Sequence, residues 1–174
     1  RQGHNPGRQM NTLNSTTSLS RQGQYMGKIE PNTSIRYGKH LFQIHVQLVF
    51  AVQNRECLLQ DSWRDELFKY MAGILRNHDH KLLAINGMPD HVHILTGLRP
   101  TQSISDLMQD IKGDSSKWIK QKGFIRNRFS WQEGYGAFSY SKKEVPFLID
   151  YIKGQKEHHR KRTFYEDILN FSEV

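Results

Sequence analysis

From residue 39 onward the apolar positions of this chain fall into stretches of period 2 and period 3.6; before that they show no period at all. The opening RQGHNPGRQMNTLNSTTSLSRQGQYMGKIEPNTS and the four residues after it are rich in Asn, Gln, Ser, Thr and Gly. Such a segment cannot bury enough apolar surface to offset the entropy lost on ordering. Residues 1–38 are therefore set apart as a flexible N-terminal segment of unknown role, and 39–174 are read as one domain. The chain opens on Arg1, with Met26 a candidate natural start.

HLFQIHVQLVFAV (40–52) alternates and is rich in β-branched and aromatic residues, which predicts a strand. DSWRDELFKYMAGILRN (61–77) spaces Trp63, Leu67, Met71, Ile74 and Leu75 as one helical face, with Ser62 and Asp65 as a capping-box start. KLLAIN and HVHILTGL are two strands around the turn GMPD and predict an antiparallel hairpin. A second helix begins near Ser103 and aligns Ile104, Leu107, Met108 and Ile111. FSWQEGYGAFSYS (129–141) reads as a bulged, aromatic strand. Ser141 and Glu144 then cap a third helix, KEVPFLIDYIKGQKEHHRK, with Pro146 in its first turn. The order β-α-β-β-α-β-α predicts an α+β fold. It is a ferredoxin-like split βαβ, an antiparallel sheet with helices on one face, plus a C-terminal helix.

Charge narrows the partners. With 25 Lys and Arg against 17 Asp and Glu, the formal net charge is +8, which favours nucleic acid and, less strongly, an anionic membrane surface. Cys57 is the single cysteine, so neither a disulfide framework nor a cysteine-based zinc site is available. No run of about 18 apolar residues and no signal-peptide core is present, so the chain reads as cytoplasmic with no membrane partner.

Within the hairpin, His91 and His93 flank Val92. On a strand they share one face, about 7 Å apart, so both rings can converge on one ion. The bland alternative is one histidine at the sheet rim and the other solvated. His78 and His80, where a helix meets a strand, read instead as helix-dipole partners and solvated residues. In the third helix Tyr151 and Gln155 stand at i and i+4, beside Leu148 and Ile152 as the core row. A Gln155 oxygen beside two imidazoles would suit Mg²⁺ or Mn²⁺; a boundary Tyr and a solvated Gln is the competing reading. Lys112, Lys117, Lys120 and Arg126 cluster on and after the second helix, and Lys153, Lys156 and Arg160 on the third. Interleaved with Trp118, Phe124 and Trp131, they suit a strand-tracking, base-stacking surface, unless the cations are solvated and the aromatics belong to the core. No Walker loop and no H-E-x-x-H helix occurs, so nucleotide-dependent and zincin chemistries are not expected.

PDHVHIL, then a Gly-Tyr strand and DYIKGQ, resemble the HUH single-tyrosine transposases of small bacterial insertion sequences, the IS200-like family. QLVFAVQNRE, LLAINGMPDHVHILTGL, IKGDSSKWIK and WQEGYGAFSYS resemble that family in the same order, so the likeness spans about 40–165. The resemblance implies that Tyr151 is the nucleophile and that His91, His93 and Gln155 are metal ligands. It also implies single-stranded DNA with hairpins as substrate, a 5′-phosphotyrosine intermediate, and a homodimer whose active sites are shared between protomers. Two other readings stand beside it: a domesticated relative that processes repetitive palindromic DNA, and a non-catalytic ferredoxin-like module binding nucleic acid. A metal hydrolase ranks last, since Asp90 is the one carboxylate beside the histidines.

Overall fold

The computed structural model describes residues 40–155 and the three residues 35–37. Strands β1 (Ile35–Tyr37) and β2 (His40–Phe42) form a small antiparallel ladder, so part of the segment set apart in the sequence carries pairing. The main body then runs β3 (His45–Ala51), α1 (Asp61–Asn77), β4 (Lys81–Met88), β5 (His91–Gly97), α2 (Ile104–Lys122), β6 (Gly136–Tyr140) and α3 (Val145–Lys153). Its sheet has the order β4-β5-β3-β6 and every pair is antiparallel. That is the split βαβ arrangement expected from the sequence.

Period 2 divides the central strands between two cores. Val46, Leu48 and Phe50 of β3, with Val92 and Ile94 of β5, meet Leu67, Met71 and Leu75 of α1 and Leu107, Met108 and Ile111 of α2. On the reverse face Leu83, Ala84 and Leu95 meet Val145, Leu148, Ile149 and Ile152 of α3. Each aliphatic side chain so buried contributes about 1.5–3 kcal/mol. With helices on both faces, β3 and β5 are buried along their whole length. Polar residues on the α3 face of these strands are therefore inside the protein.

Several boundaries depart from the sequence reading. The expected strand 40–52 is broken at Gln43 and Ile44 into β2 and β3. The aromatic strand shrinks to 136–140, with Trp131 making only an isolated bridge to Val52. Helix α1 begins at Asp61 after Gln60, without a side-chain cap. Ser62 is not its cap, because Arg64 takes over the start, donating to the Leu59 carbonyl at 3.1 Å and pairing with Asp61. Ser103 does cap α2, accepting from the Asp106 N–H at 3.1 Å, and Gly123 closes it in the left-handed region at φ 68°. Glu144 reaches back to accept from the Ser141 N–H and hydroxyl, as a capping-box acid does, while the helix proper starts at Val145.

His80 corrects another expectation. It is buried, not solvated: Nδ1 accepts from the Arg99 N–H at 2.9 Å and Nε2 lies 2.7 Å from the Gln102 side-chain oxygen. His78 caps α1, and its ring lies 3.4 Å from the Asp110 carboxylate.

Candidate active site

Backbone hydrogen bonds hold the turn that precedes His91. Two residues, Pro89 and Asp90, join β4 to β5. The Pro89 carbonyl accepts from the Leu59 N–H at 2.8 Å and the Asp90 carbonyl from the Val52 N–H at 2.8 Å. Gly87 lets this happen: a Cβ there would stand 2.3 Å from the His91 carbonyl oxygen. Beside the turn, the Asp90 carboxylate bridges Arg55 at 2.7 Å and His91 Nδ1 at 2.6 Å. Burial alone would raise the Asp90 pKa. The hydrogen bond to His91 and the charges of His91 and Arg55 outweigh it, so the group lies below its ordinary value.

His91 and His93 lie opposite Ala51 and Val49 on β3, on the α3 face, and each is 1% exposed. Their rings meet edge-on with centroids 5.1 Å apart. His93 Nδ1 is 3.0 Å from the Gln47 amide nitrogen, and the Tyr140 hydroxyl donates to the Gln47 oxygen at 3.1 Å. Both imidazoles are thus held through Nδ1, which makes Nε2 the ring position from which either could coordinate. The solvated alternative does not apply to this pair.

Helix α3 brings the tyrosine to the same face. Tyr151 is half-buried, and its ring centroid is 6.3 Å from that of His93. Asn86, opposite His93 in the ladder, donates from its amide nitrogen to the carbonyls of Ile152 at 2.8 Å and Lys153 at 3.1 Å. Those carbonyls lie in the last turn of α3. Gly154 follows as the C-cap, and Gln155, one turn beyond Tyr151, is fully buried rather than at a solvated edge. Of the other tyrosines with described side chains, Tyr70 stacks on Trp118, Tyr135 is exposed beside Lys112, and Tyr140 serves Gln47.

The donors that the sequence nominates are two imidazoles and one carboxamide; among the described residues no three of His, Cys, Asp and Glu gather into a metal site. Borderline nitrogen with hard oxygen fits Mn²⁺ or Mg²⁺ with positions left for substrate. The Asp90 carboxylate at His91 Nδ1 agrees with that fit, since a ligating histidine ordinarily donates its other ring N–H to such an acceptor.

The cations divide. Lys117, Lys120, Arg126 and Lys153 are exposed, Lys117 beside Asp114 and Lys153 beside Asp150. Lys112 instead donates to the Gln132 carbonyl at 2.8 Å and to that of Gly134, with its pKa lowered by burial. Lys156 and Arg160 lie outside the described residues. The aromatics belong to packing, contrary to a stacking surface for bases: Trp63 stacks on Phe124, Trp118 on Tyr70, and Trp131 meets Phe50 edge-on while donating to Ser115. Beside the turn, a cleft of about 430 Å³ is lined by Val52, Gln53, Asn54, Glu56, Leu58, Arg128 and Ser130. Neither it nor Gln47 and Asn86 was foreseen, because single polar residues on strands carry no periodic signal.

Known proteins resemble this assembly in sequence and fold. An ISDra2 transposase TnpA from Deinococcus radiodurans is 25% identical over 125 residues, 68% of this chain and 88% of the relative. The transposase of insertion sequence element IS200 from Salmonella typhimurium is 28% identical over 115 residues, 63% of this chain and 75% of the relative. A Deinococcus radiodurans transposase candidate, solved as a crystal structure, aligns with TM-score 0.57 at 23% identity, covering 70% of this chain and 97% of that one. A REP-associated tyrosine transposase bound to a REP hairpin aligns at 0.54 and 16% identity, over 72% and 74%. These two show a shared fold. The family described as transposase IS200 like matches residues 40–155, which include β3 through Gln155, and the chain belongs to that family of IS200-like transposases.

Proposed function

We propose that this transposase cleaves and rejoins single-stranded DNA at hairpin-bearing element ends through a 5′-phosphotyrosine on Tyr151. The observation that carries the reading is the Tyr151 ring 6.3 Å from His93, on the buried face that also bears His91. The Tyr151 oxygen, buried in the resting site, attacks a backbone phosphorus and gives up its proton to a water admitted with the substrate. The bond from phosphorus to the 3′ oxygen breaks, and that oxygen leaves as a 3′-hydroxyl after taking a proton. The phosphotyrosine keeps the ester's energy, so a 3′-hydroxyl can reverse the step without a nucleotide cofactor.

His91, His93 and Gln155 would hold Mg²⁺ or Mn²⁺, which supplies charge neutralisation at the phosphate. Asp90 fixes the His91 ring, and Asn86 fixes the level of Tyr151 along α3. Exposed Lys117, Lys120, Arg126 and Lys153 are the described candidates for backbone phosphates. The cleft beside Arg128 offers room for an unstacked nucleotide. Hairpin DNA as the partner is supported by the related fold captured on one, and action on bacterial DNA implies a cytoplasmic site of work. A homodimer that shared its sites would exchange α3 and re-form these contacts between protomers. In a single chain the same contacts close the site within one protomer.

The test is a denaturing gel of the full chain with labelled single-stranded hairpin DNA from the element ends, with Mn²⁺, Mg²⁺ or chelator. A metal-dependent covalent adduct is expected, lost in Tyr151→Phe and retained in Tyr135→Phe. An adduct surviving Tyr151→Phe overturns the assignment; binding with no adduct favours the non-catalytic module. In the same gel, a mixture of Tyr151→Phe and His93→Ala chains stays inactive if the site is closed and regains adduct if α3 is exchanged.

A further inference from the structure

The reverse face of the sheet carries a polar residue that the reaction above does not use. Gln47 is 1% exposed, sits at the centre of β3 and is flanked by Leu95 on β5 and Phe138 on β6. A carboxamide in such a place costs stability unless both its ends are bonded. Here they are: one end meets His93 Nδ1 at 3.0 Å, the other the Tyr140 hydroxyl at 3.1 Å.

Two orientations of the amide satisfy these two contacts, since its oxygen and nitrogen can exchange places. With nitrogen toward His93, Nδ1 accepts and the ring proton sits on Nε2, where it blocks coordination. With oxygen toward His93, Nδ1–H donates to Gln47, Nε2 carries a lone pair, and the Gln47 N–H₂ donates to the tyrosine oxygen. Serving both arrangements takes a partner that donates in the first and accepts in the second, which a tyrosine hydroxyl does and a phenylalanine cannot. Burial, with the charge of Glu144, pushes the Tyr140 pKa up to about 12, so the hydroxyl keeps its proton at neutral pH. His91 is held differently, by the Asp90 carboxylate, whose charge Arg55 offsets.

We propose that Gln47 and Tyr140 are positioning residues that select the coordinating tautomer of His93, the amide presenting its oxygen to Nδ1 when His93 binds a divalent cation. The inference rests on the reading of His91 and His93 as ligands. It assigns Tyr140, a rival nucleophile by sequence, to a relay behind the metal site.

The full-length chain is titrated with Mn²⁺ by electron paramagnetic resonance of the free ion, and melting is followed without metal. Gln47→Met should weaken Mn²⁺ binding about 10–100-fold. Gln47→Glu should restore it, because a carboxylate accepts from Nδ1–H and from the Tyr140 hydroxyl together. Tyr140→Phe should weaken binding less than Gln47→Met, with the metal-free melting temperature of Gln47→Glu close to the parent's. Parent-like Mn²⁺ affinity in Gln47→Met, with binding lost in His93→Ala, overturns the positioning role and leaves the site intact. Weakening in Gln47→Met that Gln47→Glu does not relieve also overturns it. A parent chain whose Mn²⁺ binding is absent, or survives His93→Ala unchanged, overturns the metal-site reading and this inference with it.

Discussion

At His80 the Arg99 N–H occupies the Nδ1 lone pair, so the ring proton lies on Nε2 and points at Gln102. A second proton would set one N–H against another. Burial is the largest cause lowering this pKa, and the charges of His78 and Arg99 lower it further, against the opposing Gln102 bond and Asp79. A folded-state pKa below the unfolded value means stability present in full above about pH 6.5 and lost as pH falls through the folded value. Denaturant midpoints should therefore fall as pH drops below about 6.5, and the fall should be shallower in His80→Gln, in which that group cannot charge. A parent curve parallel to the variant's would refute the role. His80 was misread from sequence because its partners, Arg99 and Gln102, come from a loop about twenty residues away. His91 and His93 were legible because period 2 alone puts them on one face. Gln47 had no such signal, since its burial depends on α3 covering a second face of the sheet.

Helix α3 shows the same division between local and tertiary causes. Tyr151 and Gln155 at i and i+4 were readable, as was the Leu148–Ile152 row, because helical spacing is local. What ends the helix was not: Asn86 on β4 supplies two donors to its last carbonyls from 66 residues away. Likewise Ser103 caps α2 as its sequence suggests, whereas the start of α1 is set by Arg64 reaching back to Leu59 and Asp61. Asn86→Ala removes both donors and leaves the Ile152 carbonyl in a half-buried place, a cost of about 1–3 kcal/mol. Amide exchange should then quicken in α3 by tenfold or more, while the amides of α1 and α2, in the other core, keep their protection. Uniform acceleration across all three helices would mean that α3 is no separate unit. Adduct formation in Asn86→Ala should fall with it, since the level of Tyr151 beside His93 is set by that end.

For the whole molecule, a formal charge of +8 says that an anionic partner is favoured but not which cations meet it. The structure separates two kinds of lysine on one helix. Lys120 projects into solvent, and Arg126 follows in the exposed loop after α2. Lys112 is bound to the carbonyls of Gln132 and Gly134 and lies 6.0 Å from the Phe50 ring and 5.8 Å from that of Tyr135, tying α2 to the segment leading into β6. Single-stranded DNA releases about 0.7 counterion per phosphate neutralised. Lys120→Ala and Arg126→Ala should each make the plot of log affinity against log salt shallower by about 0.7, with melting temperature unchanged. Lys112→Ala should do the reverse, lowering the melting temperature by several degrees, as loss of about 1–2 kcal/mol does in a domain of this size, while leaving the salt slope intact. Fluorescence anisotropy at four or five salt concentrations measures both. A slope change in Lys112→Ala as large as that in Lys120→Ala would mean that the ammonium leaves its carbonyls for phosphate when DNA binds, and that the loop before β6 is remodelled by substrate.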